Sequence, residues 1–242
     1  MTADTPTILA TSGGLRAGTR TNFEFGAMSE YAFELSGVTG RAPRVCFVGT
    51  AGGDDPHWIT AFYEAALLRG LQMSHLRLFS MPNVEDITAH LLEQDVVWVG
   101  GGSVAGLLAM WRLHGVDEAM RTAWEAGVVL TGVSAGSLCW HIGGTTDSFG
   151  PTLRPVTNGL ALVPYSNGVH YDAEEQRRPL YHRLVEDGTL PAGYATDNFA
   201  GLLYHGTEFV EAVSEREGAL AYRVELGPDG VVVETELDTR LL

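Results

Sequence analysis

Apolar positions fall into two alternating rhythms through the first two-thirds of the chain. Short unbroken apolar runs at residues 7–11, 44–49, 75–79, 96–99 and 128–131 predict buried strands. Between them, Ile59, Phe62, Ala66 and Leu67 share one helical face within residues 58–69. Val84, Ile87 and Leu91 repeat at helical spacing, as do Val104, Leu107, Leu108 and Trp111, then Val116, Met120 and Ala123. This strand–helix alternation predicts an α/β fold, a mostly parallel sheet with helices on both faces. The last third changes rhythm. Residues 209–213, 220–224 and 231–236 alternate apolar with polar and are separated by turns at Gly218 and Gly227-Pro-Asp-Gly230. They predict an antiparallel meander that closes the sheet edge. No internal repeat, low-complexity block or linker interrupts the chain, so one domain over residues 1–242 is expected.

Composition narrows the chemistry. The formal charge of −15 argues against a nucleic-acid partner, because phosphate binding needs a basic face. All 15 cationic residues are Arg, and the absence of Lys excludes a lysine Schiff base, a Ser-Lys dyad and a Walker-type phosphate lysine. Cys46 and Cys139, the only cysteines, sit in apolar segments and read as buried thiols of a reduced compartment. No four-ligand zinc pattern can be built from them. Residues 1–6 lack a basic start followed by an apolar stretch, and no apolar run approaches a membrane span. A soluble cytoplasmic protein is expected.

Four of the predicted strands run straight into glycine turns: Gly13-Gly14, Gly52-Gly53, Gly100-Gly101-Gly102, and Gly132 with Gly136. In an open α/β sheet the ligand crevice lies outside the carboxyl ends of the strands, and glycines there let backbone approach a substrate. The most informative of these turns is Gly132-Val-Ser134-Ala-Gly136, between an apolar strand and a helical pattern. A sharp strand-to-helix turn lifts its central side chain over the sheet edge and aims free N–H groups at a developing oxyanion. Ser134 is therefore a candidate nucleophile; the plain alternative is a capped turn.

A serine nucleophile needs a base. His75, His90 and His114 sit in strand or helix-edge contexts that suit structural imidazoles, and His141 follows Ser134 on the same helix and points away from it. His170 stands apart, after a strand-like run and a Gly turn, where a general base could reach the rim. Asp147, Asp172 and Asp197 are all candidates for the orienting acid.

Taken together, Val99-Gly-Gly-Gly102, Gly132-Val-Ser-Ala-Gly136, Thr145-Thr-Asp147 and His170-Tyr-Asp172 with Arg177-Arg178 resemble the peptidase E (aspartyl dipeptidase) family of serine peptidases. Cyanophycinase is a more distant relative of that family. The resemblance implies a flavodoxin-like fold related to class I glutamine amidotransferases, a homodimer, a peptide substrate, and no metal or cofactor. It implies Ser134 as nucleophile, His170 as base and Asp147 as acid, with the N–H groups of Ala135 and Gly102 or Gly101 holding the oxyanion. Preference for an N-terminal Asp would need a cation, for which Arg177 and Arg178 match by position and Arg154 is a weaker third. Gly101 and Ser103 fall at the substrate; the family commonly carries Asn where this chain has Ser103, which bears on specificity more than on chemistry.

Three rival readings compete for the same residues. Gly100-x-Gly102-x-x-Ala105 matches a loose dinucleotide fingerprint but follows the wrong strand and lacks the acidic residue a ribose requires. An α/β-hydrolase esterase would use His205 with Asp197 or Asp172, in a chain short for that fold. A non-catalytic binding protein would keep the fold with its triad misaligned.

Overall fold

Each apolar run finds its partner in a sheet. The computed structural model describes residues 3–242, so the first two residues of the N-terminal reading lie outside it. Along the chain, β1 (Thr7–Thr11) leads into a hairpin of β2 (Leu15–Ala17) and β3 (Phe23–Phe25), then α1 (Ala27–Leu35). The alternation continues as β4 (Arg44–Val48), α2 (Pro56–Arg69), β5 (Gln72–Leu76), α3 (Ile87–Leu92), β6 (Val96–Val99), α4 (Val104–His114), α5 (Val116–Glu125) and β7 (Val129–Val133). Next come α6 (Ala135–Leu138), β8 (Gly143–Thr146), β9 (Arg154–Val156), β10 (Ser166–Gly168), α7 (Arg177–Glu186) and β11 (Gly193–Thr196). The chain closes with β12 (Ala200–His205), β13 (Glu208–Ser214), β14 (Ala221–Leu226), β15 (Val232–Glu236) and β16 (Thr239–Leu241).

The larger sheet has the order β16-β13-β12-β1-β7-β6-β4-β5. Its strands from β1 to β5 are parallel, while β12 and β13 form an antiparallel edge. Side chains alternate between two cores. Leu9, Phe47 and Trp98 face Met28 and Phe33 of α1 and Phe62 of α2. Ile8, Cys46, Val48 and Val99 face Leu107 and Trp111 of α4 and Met120 of α5. Covering both faces explains why these strands read as unbroken apolar runs. A smaller sheet, ordered β15-β14-β11-β10-β8-β9, packs beside it.

Two expectations need correction. The strand expected at residues 75–79 starts earlier, at Gln72, and ends at Leu76. The N–H groups that would extend its ladder are taken by side chains: Arg77 donates to Asn83 Oδ1, and Leu78 and Phe79 donate to Asp54 Oδ2. The C-terminal meander also does not form as one unit. β13 pairs with β12 and β16, whereas β14 and β15 extend the smaller sheet from β11. The turn at Gly218 is thus a crossover between sheets, and strand alternation alone carries no information on which sheet a strand joins.

Candidate active site

β7 ends at Val133, and Ser134 then turns the chain sharply into α6. Its φ of +58° and ψ of −110° lie outside the regions open to ordinary side chains. Such strain costs on the order of 1–3 kcal/mol and persists only where the surroundings over-determine it. Here the Ser134 N–H donates to Thr11 O at 3.1 Å, and the Ser134 carbonyl accepts from Ser137 and Leu138. A methyl group at Gly132 or Gly136 would run into the Val99 carbonyl, so only glycine lets this turn sit against β6. The Ser134 side chain does not cap α6, and the residue is partly exposed at the rim.

His170 arrives from the smaller sheet. β10 and β11 are parallel neighbours with Gly168 opposite Ala195, so the residues following each strand emerge side by side. The His170 N–H donates to the buried Ser12 Oγ at 3.2 Å. Consecutive residues at the end of β1 therefore hold the two groups: Thr11 fixes Ser134, and Ser12 fixes His170. The His170 Nδ1–H donates to Asn198 Oδ1 at 2.5 Å, while the Asn198 N–H donates to Asp172 Oδ1 at 2.7 Å. His170 and Phe199 share the positive φ of Ser134, at +52° and +70°.

The three candidate acids are placed differently. Asp147 occupies an exposed turn between β8 and β9 and makes no hydrogen bond to His170. Asp197 points the other way. Its Oδ2 accepts from the Leu220 N–H and the Tyr222 hydroxyl, and burial pushes its carboxyl up. Asn198 was not singled out from sequence; the signal that could have found it is its place directly after Asp197, at the end of a strand adjoining β10.

Around Ser134, the N–H groups of Gly101, Gly102 and Ala135 make no hydrogen bond among the described residues. A methyl on Gly101 would lie 3.4 Å from Ser134 Cβ, so this loop borders Ser134 directly. Ser103 caps α4, its Oγ accepting from the Gly106 N–H at 3.1 Å. Beyond Gly101 the rim opens into a cavity of about 200 Å³ with walls from Phe47, Trp58, Phe62 and Trp98.

Arg177 and Arg178, expected at the substrate, both make contacts within the chain. Arg177 is buried, donating to Thr145 O and pairing with Glu174. Arg178 lies over the rings of Tyr171 and Tyr222, 3.7 Å from Glu234. His141 is buried as well: its Nδ1–H donates to Ser137 O, and its Nε2 accepts from the Tyr204 hydroxyl. No group of three or more His, Cys, Asp or Glu among the described residues could hold a metal ion. No helix among them is long and apolar enough to cross a membrane.

Residues 8–212 match the sequence model of Peptidase family S51. The chain is 42% identical over 182 residues to the uncharacterized peptidase YgaJ of Bacillus subtilis (strain 168), covering 75% of this chain and 78% of that one. It is 31% identical over 167 residues to peptidase E of Shewanella denitrificans, covering 65% and 70%. The crystal structure of a peptidase from an acI-B1 actinobacterium superposes with a TM-score of 0.67 at 14% identity, over 97% of this chain and 95% of that one. The last likeness concerns the fold alone, which is flavodoxin-like.

Proposed function

Because the chain belongs to Peptidase family S51 and is a serine-type peptidase, we propose that it hydrolyses short peptides through Ser134, with His170 as base and Asn198 as orienting group. The observation that carries this reading is the shared support at the end of β1, where Thr11 holds a strained Ser134 and Ser12 holds His170. Since Asn198 Oδ1 can only accept, Nδ1 carries the proton and Nε2 is the free base.

In the proposed cycle Ser134 Oγ attacks the peptide carbonyl and His170 Nε2 takes its proton. The oxyanion meets the free N–H groups of Ala135 and of Gly101 or Gly102, each worth about 10²–10³ in turnover. The C–N bond breaks as His170 returns the proton to the leaving amine. Water then attacks the Ser134 ester, releasing the acid and regenerating the hydroxyl. Asn198 orients the imidazole without supplying charge, a role the resemblance gives to Asp147.

Arg216 supports a short substrate. It lies 3.7 Å over the Phe199 ring, next to Asn198, and suits the terminal carboxylate of the leaving residue. The proposal takes residues 1–242 as one peptidase domain, because the larger sheet supplies the nucleophile and the smaller one the base. A cytoplasmic homodimer belongs to the same reading; exposed Leu67 and Leu68 on α2, beside edge strand β5, offer an apolar face to a second copy. The test is hydrolysis of dipeptides and tripeptides by wild type and Ser134→Ala. A loss of roughly 10⁴-fold or more supports the nucleophile, and unchanged activity removes it.

A further inference from the structure

We infer that the cavity beside Gly101 receives the side chain of the acyl-side residue, and that this peptidase prefers a large apolar or aromatic residue there over Asp. The inference rests on the proposed roles of Ser134 and His170 and adds the substrate class.

Position comes first. In the larger sheet, β1 and β6 flank β7 on opposite sides. Ser12, which holds His170, follows β1; most of the cavity wall, including Gly49, Gly100 and Gly101, lies on or after β4 and β6, with Leu15 closing it from the β1 side. A base that returns its proton to the leaving amine must stand on the leaving-group side of the scissile bond. The opposite flank is then the acyl side, and the cavity occupies it. Gly101 joins the two, since it lines the cavity and borders Ser134 Cβ.

Chemistry comes second. Phe47 and Phe62 stack with centroids 3.9 Å apart, and Trp98 lies 4.7 Å from Phe62. The Trp98 indole N–H is spent on Ser29 Oγ, so it offers the cavity only ring surface. Trp58, about half exposed, forms the outer wall. An apolar cavity of about 150 Å³ is enough for a benzene-sized guest. The cavity here, about 200 Å³, therefore fits the side chain of Phe or Leu.

Charge comes third. Among the described residues, Asp55 is the one charged residue lining the cavity, while Arg16, in the adjoining hollow beyond Leu15 and Trp58, is paired with Glu24. The two cations expected to clamp an Asp side chain are held by Glu174 and Thr145, or by Tyr171, Tyr222 and Glu234. A substrate carboxylate in this cavity would lose water, gain no cation and face Asp55.

The experiment has two arms. Binding of Phe-Leu, Ala-Leu and Asp-Leu to the Ser134→Ala protein is measured by calorimetry, and kcat/KM for the same dipeptides is measured with wild type. Phe-Leu is expected to bind at least about tenfold more tightly than Ala-Leu or Asp-Leu, the discrimination an apolar pocket provides. Trp58→Ala should cut the Phe-over-Ala ratio by about fivefold or more, and Asp55→Asn, which keeps the helix cap, should improve Asp-Leu binding several-fold. Asp-Leu binding as tightly as Phe-Leu overturns the inference even if hydrolysis is normal. Tight Phe-Leu binding without hydrolysis of any peptide supports the pocket and defeats the peptidase cycle instead.

Discussion

His170 is oriented by an amide: its Nδ1 lies 2.5 Å from Asn198 Oδ1. Asp172 holds Asn198 in turn by accepting its backbone N–H. Carboxylate character therefore reaches the imidazole only at second hand. A neutral acceptor fixes the tautomer as a carboxylate would, but stabilises the imidazolium less.

Replacing this amide separates orientation from charge. Asn198→Ala is expected to lower kcat by about 10–100-fold through a freely turning imidazole. Asn198→Asp keeps the acceptor and adds a negative charge, which favours the protonated base. The acid limb of its pH–kcat/KM profile should therefore move to higher pH than in wild type. An Asn198→Ala protein with wild-type kcat would show that the amide does not orient the base.

Asp147 gives the complementary case. Exposed and without a hydrogen bond to His170, it should be replaceable by Asn with kcat/KM unchanged within about twofold. A thousandfold loss on the same substrate would return the acid role to this carboxylate.

Arg177 is expected to act on stability and not on substrate. Its guanidinium is buried and bonded to Thr145 O and Glu174, although Glu174 is partly exposed, which screens the ion pair. Arg177→Gln should lower unfolding stability by about 2 kcal/mol by leaving buried polar groups unpaired. Denaturant melts of the two proteins measure this. An unchanged melt with a raised KM for acidic peptides alone would place Arg177 at the substrate.

His141 should make the protein acid-sensitive. Burial holds its imidazole neutral, lowering its pKa from an ordinary 6.5 to about 4, against the opposing bond to Ser137 O. The unfolded chain takes up the proton below about 6.5 while the folded one does not, so stability falls with pH from there until the folded group also titrates near 4. Between pH 6.5 and 5 the loss is about 2 kcal/mol at 1.36 kcal/mol per unit. A His141→Gln protein should lack this part of the pH dependence in urea unfolding series at the two pH values. Identical slopes in both proteins would mean that another group carries it.

The parallel half of the larger sheet was legible because burial on both faces leaves continuous apolar runs such as Val96–Val99, and Ser134 stood out because its Gly-flanked turn directly follows such a run. The smaller sheet was not. β8, β10 and β11 are short and rich in Gly, Ser and Thr, and small residues there carry no apolar period. That gap also hid Asn198, whose meeting with His170 depends on the register of β10 against β11. The aromatic cavity was hidden for a different reason. Phe47, Phe62 and Trp98 read as core residues, and they are nearly buried even while lining it.

Covalent capture identifies the nucleophile. The wild-type chain is treated with a fluorophosphonate, digested and mapped by mass spectrometry, alongside Ser134→Ala and His170→Ala. One adduct on Ser134, absent in Ser134→Ala and formed at least about a hundredfold more slowly in His170→Ala, is the expected result. An unlabelled Ser134 in a chain that still cleaves peptides would contradict it.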